Sequence, residues 1–381
     1  MNILITGSNG FVGKNLKTTL ETIIDGRNTC YPFIKEDTHL FLYDIDTEPA
    51  LLDSYCVSCD LVFHLAGVNR AKDVNEFMTG NFGFTTQLLE TLKKHNNKAP
   101  VVITSSIQAA LDNPYGKSKK AAEDYLFAYS KETGVPVFVF RLPNVFGKWC
   151  RPNYNSVVAT FCNNIARDLP IQVNDPEAVL NLVYIDDVVD SLIKVINQDV
   201  LMKDALCSIP TLHTVKLGQI AQLLRSFKES RKNLSIPNMM SSFEKALYST
   251  YLSYLPENRF SYPLTMHEDE RGSFTEIIRT LERGQFSVNM SNPGITKGNH
   301  WHHTKNEKFV VVSGEALIKF RKIGTDKVIE YPVSGTQIEV VDIPTGYTHS
   351  ITNTGSEMLV TFMWANECFN PQKPDTFFEE V

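Results

Sequence analysis

The chain has 381 residues, 43% of them hydrophobic and 21% charged, with a net charge of −6. That is an ordinary soluble composition, long enough for two or three cores, and its mild acidity gives no bulk attraction to nucleic acid or anionic lipid. No run is apolar for long enough to cross a bilayer, and 7 scattered cysteines without a signal-peptide pattern suit a reducing cytoplasm.

The chain opens on NILIT, which reads as a strand, followed by FVGKNLKTTLETII, which reads as a helix. Between them TGSNGFVG supplies Gly7, Gly10 and Gly13 in a GxxGxxG spacing. The first glycine permits a tight turn, the second lets backbone amides approach a pyrophosphate, and the third lets the helix pack on the sheet. The helix N-terminus then faces the anion. The next strand, HLFLYD, ends at Asp44. A carboxylate there favours a ribose 2′-hydroxyl over a 2′-phosphate, or else it only closes a turn, and both readings stand. Lys35, on the preceding loop, is the candidate partner for a 2′-phosphate. Cys56 and Cys59 form a CxxC with no second pair, just ahead of the apolar run DLVFHLAG. They read as structural rather than as a zinc or redox site.

VVITSS and VFVFRLP are further strands, and helical patterns separate them. Strand–helix alternation with near-continuous apolar strands indicates a parallel, doubly wound α/β sheet. Within SSIQAALDNPYGKSKKAAEDYL, Tyr115 and Lys119 are four apart at a helix start and share a face. In a carbonyl reductase such a tyrosine protonates the developing alkoxide as hydride arrives. The lysine lowers the tyrosine pKa, and a serine holds the carbonyl oxygen. Ser106 is the candidate serine, and Ser105 is a live alternative.

With the glycine turn, HLAG and RLPNVFG, residues 1 to about 250 resemble the extended short-chain dehydrogenase/reductase family, which acts mainly on nucleotide sugars. The resemblance implies a Rossmann-type NAD(P)-binding domain over 1–255, with a substrate-binding part at about 148–250, where the pattern turns mostly helical. It implies catalysis by Ser106, Tyr115 and Lys119. It also implies cofactor contacts from Gly7, Asn9, Gly10, Phe11, Val12, Gly13, Asp44, Leu65, Ala66, Gly67, Tyr115 and Lys119. Arg70 and Asn144 are expected at the substrate.

From about residue 265 the pattern becomes short alternating strands with Gly, Pro and Asn turns, which suggests a barrel or double-sheet roll over 256–381. Alternation puts His300 and His302 on one face of a strand. Gly294, His300, His302, Glu307 and Gly314 fit the first motif of the cupin family, and Pro344, Gly346, His349 and Asn353 fit most of the second. Three imidazoles and a carboxylate suit zinc or another divalent first-row metal, so His300, His302, Glu307 and His349 are the expected ligands. His303 and Lys305 read as solvated loop residues. The run DERGSFTEIIR resembles deoxysugar 3- and 3,5-epimerases, which are also cupins. That likeness places Arg271 at the substrate and offers His300 as a base instead of a ligand.

The fusion of the two halves, with HLAGVNR, NPYGKSK and LYSTYLSYLP, resembles bifunctional enzymes of capsular-polysaccharide biosynthesis along essentially the whole chain. The likeness implies a step toward UDP-N-acetyl-L-fucosamine. The cupin domain would epimerise C3 of UDP-2-acetamido-2,6-dideoxy-4-hexulose, and the reductase domain would then reduce C4 with NADPH to UDP-2-acetamido-2,6-dideoxy-L-talose. Asp44 and Asp46, with no basic residue between them, keep NADH a candidate. A homodimer is expected by analogy, because cupin sheet edges commonly pair across a two-fold. The alternative is a monofunctional nucleotide-4-ketosugar reductase whose cupin serves only dimerisation or sugar binding.

Overall fold

A computed structural model describes residues 1–203 and 205–381. The chain divides into two compact units, Met1–Arg225 with Ser241–Pro256, and Ser226–Met240 with Glu257–Val381.

In the first unit a seven-stranded sheet runs in the order His39–Tyr43, Asn2–Thr6, Leu61–His64, Val101–Ser106, Val137–Leu142, Leu206–Cys207, Met202–Lys203. Every pairing is parallel except the last. Alternate strand residues serve opposite faces. Ile3, Ile5, Phe63 and Phe140 join a core shared with the helices Phe11–Ile24 and Ile185–Lys194. Leu4, Val62 and Val139 join a second core with the helices Ala50–Ser58, Phe84–Lys94 and Pro114–Thr133. Burial on both faces explains why these strands read as unbroken apolar runs. Strand order reverses at Asn2–Thr6, between its neighbours His39–Tyr43 and Leu61–His64, which opens a crevice at the carboxyl ends of the strands.

The stretch expected to be mostly helical also contains the strands Val179–Tyr184 and His213–Lys216, which form a three-stranded sheet with Asn144–Phe146 just ahead of it. Cys56 and Cys59 are buried in the second core, and burial pushes their thiols up to about 12 and about 11. That is the opposite of an activated pair.

The second unit is antiparallel and all-β. A six-stranded sheet and a five-stranded sheet hold a core between them. Phe309, Val311 and Leu359 come from one sheet, and Ile318, Phe320 and Ile351 from the other. Strand Glu315–Lys322 alternates buried and less buried positions, the period-two pattern visible in its sequence. Among the described residues no helix is long and apolar enough to cross a membrane.

Candidate active sites

The first strand ends at Gly7, whose φ is +70° and whose amide donates to the Tyr43 carbonyl at 2.8 Å. A Cβ on Gly7 would lie 2.6 Å from the Ala66 nitrogen, and one on Gly13 would lie 2.0 Å from the Gly7 oxygen. Side chains are therefore excluded where the turn, the helix Phe11–Ile24 and the Leu65–Gly67 strand end converge. The helix begins after Gly10, so its free amides face the crevice at the strand reversal. This cradle fits a dinucleotide pyrophosphate. Phe11 and Val12 stand at the same helix start, with side chains packed on the core.

Asp44 accepts from the Asn9 amide at 2.7 Å and from the Ile45 amide at 2.8 Å, so its carboxylate anchors the glycine turn as well as closing its own. Lys35 does not reach this end of the sheet. It precedes the amino end of His39–Tyr43, Asp44 follows the carboxyl end, and its Nζ donates to the Pro32 carbonyl at 3.0 Å.

Tyr115 and Lys119 lie in the helix Pro114–Thr133, which starts on Pro114 with the Asn113 side chain accepting from the Gly116 amide at 2.8 Å. A Cβ on Gly116 would be 2.2 Å from the Gln108 oxygen and 2.7 Å from the Leu111 oxygen. The missing side chain lets the turn Ile107–Ala110 lie against the helix, and this closes the short sequence gap between Ser106 and Tyr115. Ser106 Oγ accepts from the Gln108 amide at 3.2 Å, and its hydroxyl lies close enough to Tyr115 to act on that phenol. Ser105 is engaged elsewhere, donating at 2.5 Å to the fully buried Glu123, which also takes two bonds from Arg141.

Lys119 is buried, with Nζ 3.2 Å from the Thr104 carbonyl, and burial lowers its pKa to about 8 while the Glu123 charge draws it back. Burial raises the pKa of Tyr115, and the Ser106 hydroxyl opposes that rise. The expected lowering of Tyr115 by Lys119 is therefore not produced here. The ammonium is held by a main-chain carbonyl, and desolvation dominates at the phenol.

Asn81 escaped the sequence reading. It is buried in the π-helical turn Met78–Gly83 and bonds the Val68 amide at 2.9 Å, the Val68 carbonyl at 3.0 Å and the Ser118 hydroxyl at 2.9 Å. It thereby joins the strand end carrying Gly67 to the helix carrying Tyr115 and Lys119; the only signal is the π-turn, which the sequence does not announce. Arg70 donates to the Tyr154 carbonyl at 2.6 Å, and Asn144 is exposed at the start of Asn144–Phe146.

In the second unit His300 lies in strand Thr296–Trp301 and pairs with His349 of Tyr347–Asn353. A bulge between Gly298 and His300 re-aims the strand end. His302 follows that strand, and Glu307 opens Glu307–Ser313. One potential ligand atom from each of the four lies within 4.8 Å of the others. His302 Nε2 and His349 Nε2 are 3.5 Å and 3.4 Å from Glu307 Oε2. These three atoms are buried without a hydrogen-bond partner. Orphaned buried polar atoms converging on one point are costly unless an occupant satisfies them. Imidazoles and a carboxylate at this spacing fit a divalent first-row metal.

Burial alone would raise the Glu307 pKa, but contacts with His302 and His349 and the Lys305 charge hold it well below the usual carboxylate range. Lys305 is thus not a solvated loop residue: its side chain is 15% exposed and its Nζ is 3.3 Å from Glu307 Oε1. His303 is exposed, but its ring lies against Trp301 and Phe377. Burial and the neighbouring His349 lower the His300 pKa to about 4.

A cavity of about 400 Å³ is lined by His300 and His349 together with Arg271, Lys297, Phe274 and Asn289. Arg271 pairs with Asp269 through two bonds at 3.0 Å and 2.6 Å. Lys297, which the sequence reading missed, is anchored to the Asn289 side chain and the Met290 carbonyl, both at 2.8 Å. Asp269 lines the same cavity and offsets the Arg271 charge, so Lys297 is the cation there without a carboxylate bonded to it, and it suits an anionic group of a substrate.

A glycine-turn crevice and a Ser–Tyr–Lys group on a parallel sheet define a nucleotide-dependent reductase-type protein. Residues 3–204 match the NAD dependent epimerase/dehydratase family, and the chain belongs to that family. Its cofactor is accordingly a nicotinamide dinucleotide. Residues 267–377 match the polysaccharide biosynthesis C-terminal domain.

Full-length relatives narrow the likeness. The chain is 45% identical over 377 residues to the UDP-2-acetamido-2,6-beta-L-arabino-hexul-4-ose reductase of Pseudomonas aeruginosa, covering 99% of this chain and 98% of that one. The crystal structure of the capsular polysaccharide assembling protein CapF from Staphylococcus aureus matches it with a TM-score of 0.92 and 50% identity over 100% of both chains. The Rossmann-type sheet followed by an antiparallel all-β unit is thus the CapF fold. The UDP-glucuronic acid 4-epimerase of Bacillus cereus, 19% identical with a TM-score of 0.52, shares fold alone over 67% of this chain.

Proposed function

We propose that the chain is a bifunctional nucleotide-sugar enzyme. Its cupin domain, residues 256–381, would epimerise C3 of UDP-2-acetamido-2,6-dideoxy-4-hexulose. Its reductase domain, residues 1–255, would then reduce the C4 ketone to UDP-2-acetamido-2,6-dideoxy-L-talose, on the route to UDP-N-acetyl-L-fucosamine for a surface polysaccharide. The names of the Pseudomonas reductase and of CapF support the substrate class. The observation that supports the bifunctional reading is that one chain carries two separate groups of reactive side chains, Ser106, Tyr115 and Lys119 in the first unit and His300, His302, Glu307 and His349 in the second.

The order of steps follows from carbonyl chemistry. A C3 proton is acidic only while C4 is a ketone, because the enolate then carries the charge on oxygen. Reduction abolishes that activation, so epimerisation precedes reduction. In the first unit Tyr115 donates the proton that the C4 oxygen needs, Ser106 hydrogen-bonds that oxygen, and Lys119 provides the positive field. The nicotinamide cofactor, NADPH by resemblance, supplies the hydride when bound. Arg70 and Asn144 are assigned to the substrate of this unit.

In the second unit His300, His302, Glu307 and His349 would hold a divalent metal, zinc by the chemistry of three imidazoles and a carboxylate. Such an ion supplies a Lewis acid for the carbonyl oxygen. Arg271 and Lys297 bind the anionic part of the substrate. A second reading takes His300 as the C3 base, favoured by its position on the cavity wall and its greater exposure than its three partners. We place the enzyme in the cytoplasm as a homodimer.

Solvent-deuterium incorporation is the test. The ketosugar incubated with enzyme in heavy water, without reductant, is expected to gain one deuteron at C3. A product without deuterium would leave the monofunctional reductase.

A further inference from the structure

The ring of His302 is oriented by a residue 73 positions downstream: its Nδ1 donates to the main-chain oxygen of Asp375. A carbonyl only accepts, so the ring proton sits on Nδ1 and the Nε2 lone pair turns toward Glu307 Oε2 at 3.5 Å. The carboxylate of the same Asp375 holds the loop that follows His302. It accepts from the amides of His303 at 3.0 Å, Thr304 at 2.7 Å and Lys305 at 2.8 Å, and from the Thr304 hydroxyl at 3.1 Å. That loop is the link between His302 and Glu307.

The chain after Asp375 continues along the same group. Phe377 and Phe378 pair with Trp301 and His300. The Glu379 amide donates to the Asn299 carbonyl at 3.0 Å, and the hydroxyl of Thr348, next to His349, donates to the Glu379 carbonyl. The segment from Asp375 to Glu379 therefore touches the chain beside three of the four clustered residues, His300, His302 and His349.

We propose that Asp375 is a positioning residue for the second site, acting through His302: its carbonyl fixes the imidazole tautomer and its carboxylate fixes the loop leading to Glu307. The inference rests on the reading of His300, His302, Glu307 and His349 as metal ligands. Its physical basis is that a ligating imidazole whose other nitrogen is held by an acceptor pays less to adopt its binding orientation. Losing such a partner typically weakens metal affinity 10- to 100-fold.

The test uses the full-length protein, with zinc affinity measured by chelator competition and the visible spectrum recorded after cobalt(II) loading. Asp375→Ala keeps the main-chain acceptor but removes the carboxylate that holds the 303–305 amides and with them that carbonyl's position, so it is expected to weaken zinc binding by up to about 10-fold and to change the cobalt spectrum. Asp375→Asn, which keeps one side-chain acceptor, is expected to fall between Asp375→Ala and the unaltered chain, and it stands in should Asp375→Ala fail to fold. In a His302→Ala background, Asp375→Ala is expected to cost clearly less than in the unaltered chain, because the part acting through His302 is already lost and only the hold on the loop to Glu307 remains. Unaltered affinity and spectrum in Asp375→Ala, or an equal loss in both backgrounds, would overturn the positioning role. Absence of stoichiometric divalent-metal binding by the unaltered chain would overturn the metal-site reading beneath it.

Discussion

Ser105 donates to Glu123 at 2.5 Å, and this bond separates it from its neighbour Ser106, whose hydroxyl lies near Tyr115. Adjacent strand residues point to opposite faces, so only one of them can serve the crevice. Ser106→Ala is expected to lower kcat for ketone reduction by about 10²- to 10³-fold with the fold intact, as removal of one oxyanion donor does. Ser105→Ala is expected to keep kcat within a few-fold but to lower the melting temperature, because it takes a partner from the buried Glu123 carboxylate. The reverse pattern in steady-state kinetics and thermal melts would exchange the two serines.

Tyr115→Phe separates the two activities. The substitution removes the proton donor assigned to the first unit and leaves the side chains of the second site unaltered. NAD(P)H oxidation is expected to fall to background while deuterium exchange at C3 proceeds at the unaltered rate. Both are read on the same preparation, by absorbance and by mass spectrometry. Loss of exchange along with reduction would show that C3 chemistry also depends on Tyr115.

Metal content follows from the orphaned atoms at Glu307 and His349. Protein purified without added metal or an affinity tag is expected to carry about one divalent ion per chain by elemental analysis, and His349→Ala to carry much less. Chelation is expected to stop C3 exchange and to spare reduction of a substrate already epimerised. Full exchange in a metal-free preparation would assign His300 to the base role.

How much of this was legible in the sequence depends on the range of the interaction. The glycine turn, Tyr115–Lys119 and the histidine cluster are local patterns whose spacing follows from strand and helix periods, and they fall where those periods put them. Lys35 was misjudged because sequence distance to Asp44 concealed that a whole strand lies between them. Lys305 looked like loop composition, but its partner Glu307 is buried. Asp375 and Asn81 gave no signal, since each works through contacts distant in sequence. The bond that sets Ser105 apart from Ser106 is to Glu123, one turn beyond Lys119 on the same helix, and no local pattern announces it.

The pH dependence of reduction should report Lys119. Burial lowers its pKa to about 8, while Tyr115 is shifted upward. As pH rises through about 8 the free enzyme loses the ammonium first, so kcat/KM for reduction is expected to fall above that pH. The stability sign is opposite. The unfolded chain keeps its lysine proton up to roughly pH 10.4, so between the two values it binds more protons than the folded chain. The lysine's contribution to stability therefore rises with pH across that window and is lost as pH falls through about 8. Lys119→Arg, charged throughout, is expected to retain less activity but to lack this alkaline limb. A limb at the same pH in Lys119→Arg would assign it to another group.

The cofactor preference turns on Asp44. Its carboxylate accepts from the Asn9 amide at 2.7 Å, so it stands at the glycine turn, beside the strand end where a Rossmann-type site would take the adenosine ribose. A negative charge there repels a 2′-phosphate and accepts from a 2′-hydroxyl, and Lys35 is at the wrong end of the strand to offset it. We therefore expect NADH to be used within about tenfold of NADPH in kcat/KM, although resemblance favours NADPH; that interval corresponds to roughly 1.4 kcal/mol of discrimination. Asp44→Ala removes both the loop anchor and the charge. Its first effect weakens both cofactors alike, and its second relieves only NADPH. The expected result is a large loss with NADH, a small one with NADPH, and a ratio moved toward NADPH by about tenfold or more. An equal loss with both cofactors would mean that Asp44 holds the turn and does not read the ribose, and the NADPH preference would then have to come from a basic group elsewhere around the crevice.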